Sequence, residues 1–433
     1  MQVSVETTSG LERRMTVTVP KENIDNEVQK RLKDLAKRVK IDGFRPGKVP
    51  FSVVRQKFSG QVSQEVMGEV MQNSFYEAVT QEKLRPAGMP LIEPGDSKEG
   101  FEFTATFEVY PEFEVKGLEK IKVERPVLEI SDEDIDKMLE TIRKQRKTWQ
   151  AVDRPAQEGD QLTIDFVGTL DGEEFQGGTA QQVKIELGSK RMIPGFEEQL
   201  IGAKPGDELT LDVTFPEDYH AKDLAGKAVQ FATTVHSVEE PVLPELNDEF
   251  ATEFGIKEGG LEALKQQVRE NMQREAEQTI AMRVKEQVFD GLMGLDLLEV
   301  PKALVDGEIE NLVKQRQQDM QQYGVPAQDV DPAQFETQAR RRVSLGLILS
   351  EVIKANDITV PPARLREAVE KLASSYEYPE EVVKYYYADK DRLKEVENVT
   401  LEEMAVEHVL SQAKVSDKKT SFDALMNPGQ TAS

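Results

Sequence analysis

The residues best suited to binding a charged partner lie close together in residues 43–50, which read Gly-Phe-Arg-Pro-Gly-Lys-Val-Pro. The central Arg-Pro-Gly-Lys fits a type II turn, because proline presets φ at the second position and Gly47 tolerates a positive φ at the third. Such a turn holds Phe44, Arg45 and Lys48 outward. An exposed ring between two cations suits an anionic surface with stacking or apolar contacts, such as structured RNA with its proteins.

The chain around this turn is strongly basic. Residues 30–57 hold ten basic and two acidic residues, a local charge of +8, whereas the whole chain has a formal charge of −25. A basic patch on an acidic protein predicts one localised anionic partner and not general affinity for nucleic acid. The alternative is a solvated helix face beside a loop that binds nothing.

Several kinds of chemistry are not expected from the composition. The chain has no cysteine, which excludes disulfides, thiolate nucleophiles and cysteine-ligated zinc. Its three histidines, His220, His236 and His408, are scattered, so a histidine-based metal site is not expected. No Gly-x-x-x-x-Gly-Lys-Ser/Thr loop occurs, so neither ATP nor another cofactor is predicted.

A second set of candidate residues is apolar and is spread over residues 150–245. On residue type alone these side chains fit a hydrophobic core better than a binding pocket, since aromatic residues usually lie inside. The same region has short strand-like runs, a hairpin turn at Asp171-Gly172 and a short helix starting near residue 194. It therefore predicts a compact antiparallel sheet wrapped on a short helix. The candidates are Phe166, Phe175, Met192, Ile193, Phe196, Tyr219 and Phe231.

The elements before this region predict a small α+β domain and a linker. Residues 12–19 and 101–109 alternate as strands should, and residues 21–41 and 51–84 carry the apolar spacing of helices. Together they define a domain over residues 1–112. Residues 113–149 read as a linker: an extended start is followed by a helix from a capping box at Ser131 and Asp134 to about Trp149.

Residues 246–433 predict a helical region punctuated by prolines, with a polar, frayed tail after Ser416. Five methionines lie in it, and methionine adapts to partners of irregular shape, so one interpretation is a surface that binds many different sequences. An ordinary helical bundle with methionine in its core is the alternative. The methionines are Met272, Met282, Met293, Met320 and Met404.

Length and hydropathy indicate the broad class of protein to which the chain belongs. A chain of 433 residues predicts about three domains. No apolar run approaches the length that spans a bilayer, and the first residues have neither the basic nor the apolar region of a signal peptide. We therefore expect a cytoplasmic protein that does not bind membranes.

Residues 43–50, with the helices around them, resemble the ribosome-docking signature of the bacterial trigger factor family, and the resemblance extends along the whole chain. It implies that Phe44, Arg45, Gly47 and Lys48 bind the large ribosomal subunit beside the tunnel exit. The best-known form of the family has Phe-Arg-Lys here, so Pro46 leaves Lys48 to carry more of the phosphate contact.

The segments Phe-Val-Gly-Thr-Leu-Asp-Gly-Glu-Glu-Phe (166–175) and Ile-Pro-Gly-Phe (193–196) resemble isomerases of the FK506-binding-protein (FKBP) type. The resemblance implies that the seven apolar candidates form a prolyl isomerase pocket. Phe196 is expected to be its floor, three phenylalanines its walls, and Met192 and Ile193 its rim. The Ile193 N–H is expected to hold the substrate carbonyl, and Tyr219 to supply an edge or a hydroxyl. Gln176 replaces the usual aspartate and Phe196 the usual tryptophan.

These resemblances imply a multidomain α+β protein in the family's order. Residues 1–112 correspond to a ribosome-binding domain, 113–149 to a linker that packs on the helical body, and 150–245 to an FKBP-type sheet wrapped on a short helix. Residues 246–433 correspond to an all-α chaperone domain with helical arms.

The implied function is that of an ATP-independent, ribosome-associated chaperone that shields nascent chains at the tunnel exit and catalyses peptidyl-prolyl isomerisation. The implied partners are ribosomal protein and rRNA at the tunnel exit, nascent and unfolded polypeptides, and a second copy when the protein is free. One alternative is a free-standing FKBP-type isomerase with helical domains for dimerisation or substrate recruitment. Another is a helical scaffold with a degenerate isomerase fold.

Overall fold

The computed structural model describes residues 1–42, 44, 48–96, 100–219, 221–324, 330–374 and 376–428. The chain divides into two compact units, the first made of residues 1–125 and 282–418 and the second of residues 126–281 and 419–433.

The first unit starts with a four-stranded antiparallel sheet and a helical hairpin. The strand order is β1-β2-β4-β3, and the inner faces of β2 and β4 bury Met15, Val17 and Phe103 against Phe75 of α2. The period-two alternation of the sequence thus becomes one buried face, as expected. The elements are β1 (Gln2–Ser9), β2 (Glu12–Pro20), α1 (Lys21–Ala36), α2 (Phe51–Gln81), β3 (Leu91–Asp96) and β4 (Gly100–Glu108), followed by β5 (Lys122–Val127).

The hairpin departs from the sequence expectation at the end of α1. The helix ends at Ala36 instead of Ile41, yet Ile41 still packs against the apolar cluster shared by α1 and α2. Helix α2 is continuous through Gly60 and Gly68, because an exposed glycine in a long helix costs only about 1 kcal/mol.

The second unit contains a five-stranded antiparallel sheet that curls around a short helix, as predicted. Strand β10 is its centre and pairs with β6, β7 and β9, while β8 pairs with β7. The sheet and α4 enclose one hydrophobic cluster. The elements are α3 (Asp132–Gln145), β6 (Thr148–Ala151), β7 (Gln161–Leu170), β8 (Glu173–Glu186), α4 (Phe196–Gln199), β9 (Glu208–Thr214) and β10 (Ala228–Val242).

The linker helix starts as predicted and ends earlier. Ser131 and Asp134 form the capping box, with the Asp134 N–H donating to Ser131 Oγ (3.3 Å) and the Ser131 N–H donating to Asp134 Oδ2 (2.9 Å). The predicted end near Trp149 is wrong, because Trp149 lies in β6 and pairs with Pro241 of β10. Pairing with a strand about ninety residues away overrides local helix preference at this point.

The remaining chain is mostly helical. Helices α9 and α10 start at Pro362 and Pro379, in the first turn where proline is tolerated. Within the described residues, no helix is both long enough and apolar enough to cross a membrane. The elements are α5 (Asp248–Glu253), α6 (Gly260–Met293), α7 (Lys302–Gln322), α8 (Glu336–Ala355), α9 (Pro362–Ala373), α10 (Pro379–Tyr387), α11 (Lys390–Gln412), β11 (Lys414–Lys419) and α12 (Phe422–Met426).

The expectation of a frayed tail after Ser416 is wrong for residues 417–428, and residues 429–433 lie outside the described residues. Strand β11 pairs with β5, and α12 buries Phe422 and Leu425 beside Ile135 and Leu139 of α3. Two apolar side chains three residues apart on a five-residue helix are enough to anchor it, because the cluster that receives them is already formed by α3 and α6.

Candidate functional site

All seven apolar candidates of the second unit line one cavity of about 370 Å³. They come from five separate segments. Phe166 is on β7, Phe175 on β8 and Phe231 on β10, while Phe196 opens α4. Met192 and Ile193 precede α4, and Tyr219 lies between β9 and β10.

Three phenylalanine rings of the cavity meet edge to face. Phe196 is fully buried, with its ring centroid 5.7 Å from that of Phe166 and 5.3 Å from that of Phe231, at interplanar angles of 75° and 78°. The rings of Phe166 and Phe231 lie 5.6 Å apart at 78°. Edge-to-face contacts of this kind fix ring orientation because the positive edge of one ring meets the negative face of another.

The sequence interpretation missed Phe215 and Leu224, which also line the cavity. The Phe215 ring lies 4.6 Å from that of Tyr219 and 6.1 Å from that of Phe175. A signal for it exists, since Leu211, Val213 and Phe215 alternate along β9 and its extension and are all buried. Continuing that period by one residue beyond the strand would have found it.

The polar groups at the cavity are few. Its lining within the described residues includes Gln176 and Arg191 but no aspartate, glutamate or histidine, and His220 lies outside those residues. The N–H of Ile193 donates to no other described residue. The described residues also contain no cluster of three or more histidine, aspartate or glutamate side chains placed to hold a metal.

The candidate docking turn is only partly within the described residues. Phe44 is 40% exposed, its N–H donates to the Ile41 carbonyl (3.1 Å), and Lys48 is exposed. Arg45 and Gly47, together with Pro46, lie outside the described residues. Val49 is buried in the α1–α2 cluster, so the chain re-enters the core directly after Lys48.

The basic surface around the turn is smaller than the sequence count suggests. Lys30 pairs with Glu27 (3.2 Å) and Lys37 with Asp34 (2.8 Å). Arg31 pairs across the hairpin with Glu69, which lies outside the counted segment. Six exposed cations of this hairpin make no ion pair with another described residue: Lys33, Arg38, Lys40, Lys48, Arg55 and Lys57.

The helical region exposes tyrosine more than methionine. Met282 is exposed, whereas Met272 is buried in the cluster that α6 forms with α3, and Met293, Met320 and Met404 are half-buried. Sequence reasoning missed the tyrosines, whose spacing does not mark them as exposed. Exposed large side chains of α9, α10 and α11 and the segment between α9 and α10 are Leu372, Tyr376, Tyr378, Tyr385, Tyr387 and Val399.

Comparison with known proteins places these features in one family. Residues 1–142 match the family "Bacterial trigger factor protein (TF)", and residues 260–411 match its C-terminal counterpart. Trigger factor from Pseudomonas putida is 52% identical over 434 residues, and that from Pseudoalteromonas atlantica is 52% identical over 433 residues. Each alignment covers 99% of this chain and 99% of the relative.

This chain belongs to the bacterial trigger factor family. Residues 152–239 match "FKBP-type peptidyl-prolyl cis-trans isomerase", the stretch that builds the aromatic cavity. Trigger factor from Idiomarina loihiensis is 50% identical and likewise covers the full length. As a member of the family, the chain is a ribosome-associated chaperone with peptidyl-prolyl isomerase activity.

Proposed function

We propose that the aromatic cavity binds an X–Pro segment of a client chain and lowers the barrier to rotation about its peptide bond. Seven aromatic and aliphatic side chains from five segments converge there on one open cavity of 370 Å³. That convergence is the observation that carries the proposal, because separate core residues would not need to share an opening to solvent.

The chemistry requires an apolar environment around the X–Pro peptide bond and no proton transfer. Amide resonance sets a rotation barrier of about 18–20 kcal/mol. The twisted imide has a smaller C–N dipole than the planar form, so an apolar pocket disfavours the planar form relative to the transition state. Phe166, Phe196 and Phe231 supply that environment, and the Ile193 N–H donates to a substrate carbonyl.

Alanine at Phe196 tests this assignment. We expect Phe196→Ala to lower kcat/KM for a proline tetrapeptide, measured by protease-free NMR exchange at about 10 °C, where uncatalysed exchange takes minutes. Leu162→Ala is the matched control, since Leu162 is fully buried in the same cluster but does not line the cavity. Undiminished turnover in Phe196→Ala, or an equal loss in both variants, would contradict the pocket assignment.

We propose that Phe44, Arg45, Gly47 and Lys48 form the contact with the large subunit beside the tunnel exit, reaching both rRNA and ribosomal protein. Support comes from the exposed Phe44 ring and the exposed cations without ion pairs on the same hairpin. Contacts of lysine and arginine with phosphate release counterions, so affinity should fall as salt rises.

The test is binding of the full chain to purified large subunits at several salt concentrations. Alanine at Phe44, Arg45 and Lys48 should abolish binding. Alanine at Lys302 and Lys314, two exposed cations of α7, is the control and should leave binding unchanged. If the triple variant binds like the wild type, the docking surface lies elsewhere. A wild type that does not bind at all would favour a free-standing isomerase.

We propose that Tyr376 and Tyr378 hold apolar segments of nascent and unfolded chains weakly. Both rings are exposed, and tyrosine offers a large contact area at a low cost in conformational entropy. Replacing both with serine should weaken suppression of aggregation of a chemically unfolded protein, measured by light scattering. Serine at Tyr76 and Tyr323, which are also exposed, is the control. If both double variants suppress aggregation less well by the same amount, Tyr376 and Tyr378 do not form a dedicated client-binding surface.

We propose four regions with the boundaries 1–112, 113–149, 150–245 and 246–433. The sheet cluster uses only residues between 152 and 238, which supports an independent isomerase domain. The cluster of α3 with α5 and α6 supports packing of the linker on helical residues. Limited proteolysis should cut near these boundaries.

The family resemblance also supports a cytoplasmic protein that forms a homodimer when it is free of the ribosome. Analytical ultracentrifugation over a concentration series should show a monomer–dimer equilibrium. A monomer at every concentration would contradict it.

A further inference from the structure

One carboxylate of the second unit is almost completely enclosed by backbone N–H groups. Glu197, the second residue of α4, is 5% exposed. Its Oε2 accepts hydrogen bonds from the N–H of Gly188 (2.9 Å) and of Lys190 (3.0 Å). Its Oε1 accepts from the N–H of Arg191 (3.0 Å) and of Met192 (3.1 Å), and from the Ser189 hydroxyl (3.0 Å).

All five donors belong to one run of five consecutive residues, 188–192. Two of them have left-handed backbone, with φ of 87° at Gly188 and 55° at Lys190. Alternation of left-handed residues with their neighbours turns successive N–H groups to the same side, which forms a concave anion-binding nest. The segment therefore takes its shape around the carboxylate, and without that acceptor the N–H groups of Gly188, Lys190 and Met192 would lose their hydrogen-bond partner within the described residues.

The ionised form of Glu197 is the one that this arrangement favours. Burial by itself raises the pKa of a carboxyl group, but the hydrogen bonds from Met192, Lys190, Ser189 and Arg191 outweigh it, and the pKa of Glu197 lies below its ordinary value. A carboxylate that accepts several charge-assisted hydrogen bonds holds the donating segment in one conformation, because each of these bonds is about twice as strong as a neutral one.

The anchored segment leads directly into the rim of the cavity. Met192, the last donor, lines the cavity, and the next residue is Ile193, whose own N–H has no acceptor among the described residues. The residue before Glu197 is Phe196, the floor. One side chain thus connects the floor and the rim. We infer that Glu197 is a positioning residue that aims the Ile193 N–H at the substrate carbonyl and holds the rim against the floor.

This inference rests on the proposed role of the cavity, and Glu197→Gln tests it in the full-length protein. The amide keeps the size of the side chain but turns an NH2 group toward N–H donors. We expect kcat/KM for a proline tetrapeptide, measured by protease-free NMR exchange, to fall about tenfold or more, since several charge-assisted hydrogen bonds are lost. Amide hydrogen exchange at Arg191 and Met192 should accelerate in the same variant.

Two further variants complete the test. Glu208→Gln neutralises an exposed carboxylate on β9 outside the cavity lining and should change neither quantity. Ser189→Ala removes a single donor and should lower kcat/KM by about two- to tenfold. Ser189→Ala keeps the inference testable if Glu197→Gln does not fold.

The outcomes separate this inference from the proposed function. A purely structural role predicts a lower thermal midpoint for Glu197→Gln, with kcat/KM unchanged well below that midpoint, and that result would overturn the inference. Unchanged kcat/KM in Ser189→Ala would overturn it as well. If the wild type is inactive, or Phe196→Ala is as active as the wild type, the cavity assignment itself fails instead.

Discussion

Gly168 on β7 is where the shape of the cavity can be changed by one carbon atom. A Cβ built there would lie 2.7 Å from Phe231 Cε1 and 2.8 Å from Cε1 and Cζ of Phe175. Carbon atoms prefer about 3.5–4.0 Å, so each ring would have to move by roughly 0.7 Å or more. The φ of Gly168 is not in the left-handed region, so the backbone itself accepts alanine and the effect comes from the rings alone.

The rings can move in few directions. The Phe231 centroid is 5.9 Å from that of Phe175 and 5.3 Å from that of Phe196, so displacement toward either neighbour meets another ring. We therefore expect the rings to shift toward the open cavity. Overpacking of this kind costs about 1–3 kcal/mol of stability. A misplacement near 1 Å can cost as much as about a hundredfold in rate, so we expect kcat/KM to fall about tenfold or more in Gly168→Ala.

The assay pairs urea unfolding with kcat/KM from NMR exchange on the same samples. Gly68→Ala in α2 is the control, because nothing lies within 4 Å of its Cβ position; it should stabilise its helix by about 0.5–1 kcal/mol and leave the isomerase unchanged. Phe175→Leu added to Gly168→Ala should recover part of the lost stability, since a smaller side chain relieves one of the two overlaps. Wild-type turnover and stability in Gly168→Ala would refute the reasoning.

Two further predictions concern stability. Asp160 is 3% exposed at its side chain and accepts two hydrogen bonds from Arg154 (2.6 and 3.0 Å), so Asp160→Asn should destabilise the sheet by about 2–4 kcal/mol in chemical denaturation. Burial raises the pKa of Asp160, but hydrogen bonds from Arg154 and from the Gln157 N–H outweigh it, so the pKa lies below the ordinary aspartate value. The stabilisation is therefore present above the ordinary aspartate pKa and should be lost as pH falls through the lowered pKa. A pH series in which Asp160→Asn lowers the free energy of unfolding by the same amount at every pH would contradict this. Ser131→Ala removes the acceptor of the Asp134 N–H and should cost about 1 kcal/mol, whereas an unchanged unfolding midpoint would mean that the capping box contributes nothing.

The hairpin formed by α1 and α2 shows how much of the structure the local sequence pattern predicts. The apolar spacing predicts both helices, and the structure confirms them. The pairing of Arg31 with Glu69 could not be read from the sequence, because the two residues are 38 positions apart and meet only when α1 packs on α2. The unpaired positive charge of the surface therefore depends on tertiary packing and not on the count of basic residues.

The cavity likewise combines features that the sequence predicts with features that depend on tertiary structure. Residue types at the seven candidate positions, compared with a known family, predicted which side chains belong together. On residue types alone a core was the better interpretation, since the pattern of a buried ring is the same whether or not solvent reaches one side of it. The alternation along β9 marks Phe215 as inward-facing, but only the folded sheet decides that Phe215 reaches the cavity and that Gly168 leaves room for two rings.

What the sequence determined by itself is whatever depends on neighbours along the chain: the capping box at Ser131, the alternation of β2 and β4, the helix starts at proline, and the family to which the motifs belong. What tertiary structure decided is whatever depends on distant segments meeting. Strand β11 pairs with β5 almost three hundred residues earlier, and Trp149 is drawn into β6 by β10. The physical reason is that local preferences are worth about 1 kcal/mol or less per residue, whereas strand pairing and burial of a large side chain contribute more and act between residues that no sequence window contains.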